Sequence, residues 1–168
     1  MDVSEQEPRR IWWARPRKLC GLERPGGGGR SHRAERRDAE IAYLQARRVR
    51  LVVSTSPTRH NLGAYEEAGL AWHHVPVVAT EEGAAALDEL VALLRTETKR
   101  PGALALHGNR WTDYVAAVCA AHLHDVRGTP AAEGLAQASR AGLTLTPEAC
   151  ALVGVQLGEV EAMLRAAA

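Results

Sequence analysis

Phenylalanine is absent from this chain of 168 residues, and only three cysteines are present. Cys20, Cys119 and Cys150 lie far apart, so they supply neither a disulfide framework nor a closely spaced metal-binding pair. We therefore expect a reduced, cytoplasmic protein without a metal ion or other cofactor. The absence of phenylalanine indicates a coding bias and excludes no class of function.

The chain also has no large excess of positive or negative charge, and its formal net charge is +1. This value gives no general reason to expect a nucleic acid or membrane partner. No apolar run is long enough to cross a bilayer, and the polar, acidic amino terminus does not resemble a signal peptide. We expect neither a nucleic acid nor a membrane as partner.

The glycine-rich segment Pro25–Gly29 lacks the Gly-Lys-Ser/Thr ending of a nucleotide-binding P-loop. It is interpreted as a flexible loop. The polar residues 1–10 are predicted to be disordered. The apolar content of 46% and charged content of 24% are ordinary for a globular protein. They predict one domain over residues 11–168, with the carboxyl-terminal helices of residues 129–168 packed on it.

Alternating strand and helix patterns follow this amino terminus. Strands are predicted at residues 11–13, 19–22, 49–53, 70–78 and 103–106. Helices are predicted at residues 38–48, 61–69, 81–98, 115–123, 129–141 and 146–167. This order predicts an α/β fold with a mainly parallel sheet flanked by helices.

The segment from Leu104 to Leu123 reads as a strand, a polar loop and a helix. In α/β proteins, the loop between a strand's carboxyl end and a helix's amino end is a common anion site. Backbone N–H groups and the positive end of the helix both point into that loop. We therefore place the candidate site at residues 107–114. Its members are His107, Gly108, Asn109, Arg110, Trp111, Thr112, Asp113 and Tyr114.

The order of segments resembles the dual-specificity and protein tyrosine phosphatase superfamily, and in particular its small bacterial members. The resemblance spans roughly residues 11 to 128. It is carried by these segments: Trp12-Trp13 with Cys20-Gly21 and Arg24-Pro25-Gly26, Arg48 to Ser54, Tyr65 to Leu70 with His74-Val75-Pro76, Leu104-Ala105-Leu106-His107, and Val115 to Leu123. The resemblance implies a three-layer phosphatase-like domain and a phosphate-binding loop after His107.

That superfamily uses a cysteine thiolate as nucleophile, an arginine six positions later and an aspartic acid on a neighbouring loop. In an ungapped comparison, these three positions hold Gly108, Tyr114 and Ala79. No cysteine elsewhere in the chain has an arginine six positions on. The resemblance therefore implies a pseudophosphatase, a catalytically inactive domain that binds a partner or a phosphorylated ligand.

Two alternatives remain open at the level of sequence. A gapped comparison aligns Asn109-Arg110 with an Asn-Arg pair that some relatives carry at the end of the loop, which keeps Arg110 as an anion-binding candidate. The chain could also be an active phosphoric-ester hydrolase with non-standard catalytic groups, such as Asp113, Arg110 or His107. The expected partner is a phosphorylated protein or a small phosphate ligand, and the sequence does not predict the oligomeric state.

Overall fold

The computed structural model describes residues 3–78, 81–110 and 114–168, and gives only the backbone of Glu81. Its strands are β1 (Ile11–Arg15), β2 (Leu19–Glu23), β3 (Val49–Ser54), β4 (Ala71–His74) and β5 (Ala103–Gly108). Its helices are α1 (Ala34–Ala46), α2 (Leu62–Glu67), α3 (Glu81–Glu97), α4 (Val115–Arg127), α5 (Ala131–Arg140), α6 (Pro147–Leu152) and α7 (Leu157–Ala166). The predicted α/β class is confirmed.

The five strands form one sheet in the order β1-β2-β5-β3-β4. β1 pairs with β2 in antiparallel orientation, and the other neighbouring strands are parallel. Parallel strands that are covered on both faces are apolar along their length, and all six residues of β5 are buried. β5 is the central strand, and its carboxyl end leads to the predicted site.

Helices cover both faces of the sheet. Side chains alternate between the two faces of a strand, so Leu106 and His107 point in opposite directions. His107 contacts Tyr65 of α2. Gly21, which pairs with Leu106, lies against Cys119 of α4. α4 is therefore on one face and α2 on the other, which gives the three layers that the resemblance implies.

Several predicted boundaries are wrong, and the largest differences are at the end of β4 and in the carboxyl-terminal helices. The strand expected over residues 70–78 ends at His74, although the N–H groups of Val75 and Val77 still donate to the carbonyls of Ser54 and Thr55 beyond that point. The helix expected over residues 146–167 is divided into α6 and α7 at Gly154, whose φ is +72°. α1 begins at Ala34 rather than at residue 38, and β5 continues through Gly108.

The amino-terminal segment has no regular secondary structure over residues 3–8, and it contacts α1. The Gln6 N–H donates to the carbonyl of Ala39, and the Tyr43 hydroxyl donates to the carboxylate of Glu7. Pro8 is buried. In the described part of the chain, no helix combines the length and apolarity that spanning a bilayer requires.

Candidate functional site

His107 holds the end of the central strand in place through a chain of hydrogen bonds. Its Nδ1 faces the carbonyl oxygen of Gly108 at 3.0 Å, and its Nε2 faces the Tyr65 hydroxyl at 2.8 Å. A carbonyl only accepts, so Nδ1 carries a hydrogen, and because burial keeps the ring neutral, Nε2 accepts from the Tyr65 hydroxyl. Asn61 in turn donates its amide to the Tyr65 oxygen at 3.5 Å. Both nitrogens of the neutral imidazole are therefore satisfied.

Burial and the loop backbone reinforce this arrangement. Burial lowers the pKa of His107 to about 4, and burial raises the pKa of Tyr65. Thr55 donates both its N–H (2.8 Å) and its hydroxyl (3.1 Å) to the carbonyl of His107. These contacts make His107 a residue that positions the strand-to-loop junction, rather than an incidental histidine at a strand end.

Arg24 lies on the other side of the junction, immediately after β2. Its Nη1 donates to the side-chain oxygen of Asn109 at 2.9 Å, and its Nε donates to the carbonyl of Gly27 at 3.2 Å. The residue is 4% exposed, and burial lowers the pKa of its guanidinium. No carboxylate among the described residues forms an ion pair with it. A buried cation of this kind favours an anion nearby.

The glycine-rich segment, interpreted from the sequence as a flexible loop, lies beside the same site. Gly26 and Gly27 adopt left-handed backbone conformations, with φ of +87° and +86°. The Gly26 N–H donates to the buried Glu40 carboxylate at 2.8 Å, which also pairs with Arg36 at 2.5 Å. One feature of the sequence indicated this arrangement: the run Arg24-Pro25-Gly26, which is part of the resemblance. The local sequence pattern did not predict the hydrogen bond between Arg24 and Asn109.

Gly28 approaches the carbonyl of Asn109 so closely that a side chain has no room. A Cβ built at Gly28 would lie 2.2 Å from that oxygen. We expect Gly28→Ala to lower the free energy of unfolding by about 1–3 kcal/mol, because the added Cβ would force the backbone at residue 28 away from the carbonyl of Asn109. Chemical denaturation measures this loss. Gly63→Ala in α2, where a Cβ meets open space, is the matched control and should be neutral or stabilising. Equal effects of the two substitutions would contradict the close approach.

The other predicted site residues are placed as follows. Gly108 is buried at the end of β5, Asn109 is half-buried, Arg110 is exposed, and Tyr114 is the residue that caps α4. Trp111, Thr112, Asp113 and the acid position Ala79 lie outside the described residues. The described part of the site thus brings together His107, Gly108, Asn109 and Arg24.

The chain's cysteines do not lie at this site. Cys20 on β2, Cys119 on α4 and Cys150 on α6 are all buried and unpaired. Burial raises the pKa of each thiol, so the thiol rather than the nucleophilic thiolate is the stable form at neutral pH. Within the described ranges, no cluster of three or more His, Cys, Asp or Glu residues is placed to hold a metal ion.

No protein-family model and no curated protein sequence matches this chain. Solved structures do match. Human DUSP28 aligns with a TM-score of 0.68 and 21% identity, over 95% of this chain and 98% of its own. Tk-PTP in its active form aligns with a TM-score of 0.65 and 19% identity, over 94% and 97% of the two chains. PTPMT1 in complex with PI(5)P aligns with a TM-score of 0.67 and 14% identity, over 95% and 99%.

The chain therefore has the fold of the dual-specificity and protein tyrosine phosphatase superfamily, as the resemblance implied. At these identities the match establishes the fold and not the chemistry. The chemistry must be argued from the residues at the end of β5.

Proposed function

We propose that this protein is a phosphatase-like domain that binds a phosphorylated ligand without hydrolysing it. The observation that carries the proposal is the position of Gly108. It occupies the end of the central strand, directly after His107, where the resemblance requires the nucleophilic cysteine. Glycine has no side chain that could attack phosphorus.

The three cysteines strengthen the argument against turnover. Each is buried within the protein, on elements that do not supply the residues of the loop after β5. A covalent phosphocysteine intermediate requires an ionised, accessible thiol. These thiols meet neither condition, so none of them substitutes for the missing nucleophile. Three unpaired cysteines also support a reducing, cytoplasmic location.

The environment of Arg24 supports retained ligand binding. A buried guanidinium without a described carboxylate is stabilised when an oxyanion occupies the adjacent loop. Two structures with the same fold hold phosphorylated ligands: PTPMT1 is in complex with PI(5)P, and a cysteine-to-serine variant of P. aeruginosa TpbA is in complex with phosphotyrosine. We infer that a phosphate monoester is the chemical class of the ligand, carried by a protein or by a small molecule.

Hydrolysis of para-nitrophenyl phosphate tests the absence of turnover. We expect purified protein to show no orthovanadate-sensitive hydrolysis, because no group at Gly108 can form the covalent intermediate. An active phosphatase assayed in parallel controls for the substrate and the inhibitor.

Vanadate-sensitive turnover that survives purification would contradict the proposal. Loss of that turnover in Asp113→Ala would then support the alternative, an active hydrolase with non-standard groups. Full retention of turnover in Asp113→Ala, Arg110→Gln and His107→Gln would instead indicate a contaminating enzyme.

A further inference from the structure

A cluster of positive side chains lies at the opposite end of the sheet from the candidate site, where β2, β3 and β5 begin. We call this surface the basic edge. It consists of Arg17, Lys18, Arg47, Arg48, Lys99 and Arg100, of which all but the half-buried Lys18 are exposed. These residues come from three separate turns: the turn between β1 and β2, the end of α1, and the turn before β5.

Hydrogen bonds show that the three turns are neighbours. Lys18 donates its Nζ to the carbonyl of Arg100 at 3.0 Å, and its own carbonyl accepts from the Leu104 N–H at 2.9 Å. The carbonyl of Arg48 accepts from the Ala103 N–H at 2.9 Å. The basic edge is therefore one continuous surface that spans adjacent strands.

Few carboxylates neutralise this surface. Arg47 pairs with Glu5 at 3.4 Å, and Arg100 pairs with Glu97 at 3.2 Å. Glu97 is shared with Arg50 at 2.8 Å, so its charge is already balanced. The remaining members of the basic edge form no ion pair within the described part of the chain. Because the whole chain has a net charge of only +1, positive charge is concentrated at this edge.

Backbone strain at two of these arginines points to a use for the charge. Arg17 and Arg48 both have a φ of +62°, a left-handed conformation that disfavours residues with a side chain. Glycine is the usual residue in such a conformation, and Gly69 and Gly128 adopt it after α2 and α4. Attraction to a helix end could account for Arg48, but Arg17 lies between two strands, where there is no helix end to attract it.

A cavity of about 380 Å³ opens in this surface. It is lined by Trp13, Pro16, Arg17 and Arg47. An indole and a proline ring form the apolar part, and two guanidinium groups border it. Such a cavity fits a bulky apolar side chain that is flanked by carboxylates.

We propose that the basic edge binds an acidic protein segment, with an apolar side chain of that segment seated against Trp13. A lipid surface fits less well, because the large exposed apolar side chains of the described residues are Val3 and Val78, and neither lines the cavity. A nucleic acid strand would use a row of stacking aromatics, and Trp13 is the one aromatic side chain among the described residues that line the cavity. β5 separates this surface from Gly108 by roughly 17–20 Å, so the proposal is independent of phosphate binding.

Fluorescence anisotropy with labelled probes tests the proposal. The probes are a peptide of alternating glutamate and leucine, an all-glutamate peptide of equal length, a single-stranded oligonucleotide, and vesicles containing phosphatidylserine. We expect the Glu-Leu peptide to bind most tightly. We expect its affinity to fall at least tenfold in the double variant Arg17→Gly, Arg48→Gly, and its preference over the all-glutamate peptide to disappear in Trp13→Ala.

The double variant also relieves left-handed strain, so it should fold at least as stably as the wild type, and lost binding cannot be ascribed to unfolding. Arg140→Gln with Arg165→Gln is the control, because it removes two exposed arginines from the carboxyl-terminal helices. It should reduce the affinity less than threefold. Equal losses in both double variants, tighter binding of the oligonucleotide or the vesicles, or no binding of the Glu-Leu peptide would overturn the proposal.

Discussion

Replacing Arg24 by glutamine is expected to weaken the binding of inorganic phosphate and phosphotyrosine at least tenfold. The guanidinium is buried, holds the side chain of Asn109 and places a positive charge beside the described part of the loop. Charge-assisted hydrogen bonds are about twice as strong as neutral ones, so their loss is measurable by calorimetry. Arg24→Lys retains the charge without the two-pronged geometry and should give an intermediate affinity.

Arg30→Gln is the matched control, because it removes an exposed arginine from the same glycine-rich region. It should leave the affinity within about threefold of the wild type, since exposed charges interact weakly. A second variant, Asn109→Asp, places a carboxylate against Arg24 and should compete with the ligand without unfolding the protein. Unchanged affinity in both Arg24→Gln and Asn109→Asp would refute the role of Arg24, whereas no binding by the wild type would refute the proposed function itself.

As the pH is lowered below about 6.5, the protein should lose stability at pH values above those at which its carboxylates titrate. His107 and His122 are both completely buried, and burial lowers the pKa of each to about 4. In the unfolded chain both pKa values return to about 6.5. Between pH 6.5 and 4 the unfolded state therefore binds more protons, and folding becomes less favourable as the pH falls. The loss is on the order of 3 kcal/mol for each histidine, compared with a usual stability of about 5–15 kcal/mol.

Denaturant unfolding at several pH values between 7.5 and 4.5 measures this effect. His122 accepts a hydrogen bond from Arg15 at 3.2 Å, and the charge of Arg15 further opposes its protonation. His122→Gln removes one titrating group and should reduce the pH dependence by about half. His73→Gln changes an exposed side chain on β4 and should leave the slope as it is. A stability independent of pH over this range would contradict the buried, neutral histidines.

Local patterns in the sequence predicted the elements around the site well. The apolar run before His107 and the helical spacing after Tyr114 correspond to β5 and α4. The position of β5 at the centre of the sheet does not follow from periodicity, because strand order depends on contacts between distant segments. Where prediction failed locally, as at Gly154, a single residue in a left-handed conformation interrupted a helix that the apolar pattern would have continued.

The least predictable part of the site is the contact between Arg24 and Asn109. These residues are far apart in sequence, and a basic residue next to a glycine-rich run is more often solvated than buried. The hydrogen bond between Tyr65 and His107 was also not predictable, since nothing in the local sequence around a tyrosine in a short helix indicates a buried hydrogen bond. Tertiary packing decides such contacts, and only the folded chain shows them.

The short fourth strand bears on how this protein avoids aggregation. β4 forms one edge of the sheet and is only four residues long, and Pro76 follows two residues after its end. A long open edge would offer a row of unpaired N–H and C=O groups to another chain. Val75 and Val77 continue to donate to the carbonyls of Ser54 and Thr55, so the N–H that Pro76 lacks would be on the open side of this edge, where an additional strand would need a donor. Pro76 therefore protects the open edge of the sheet against growth by edge-to-edge association.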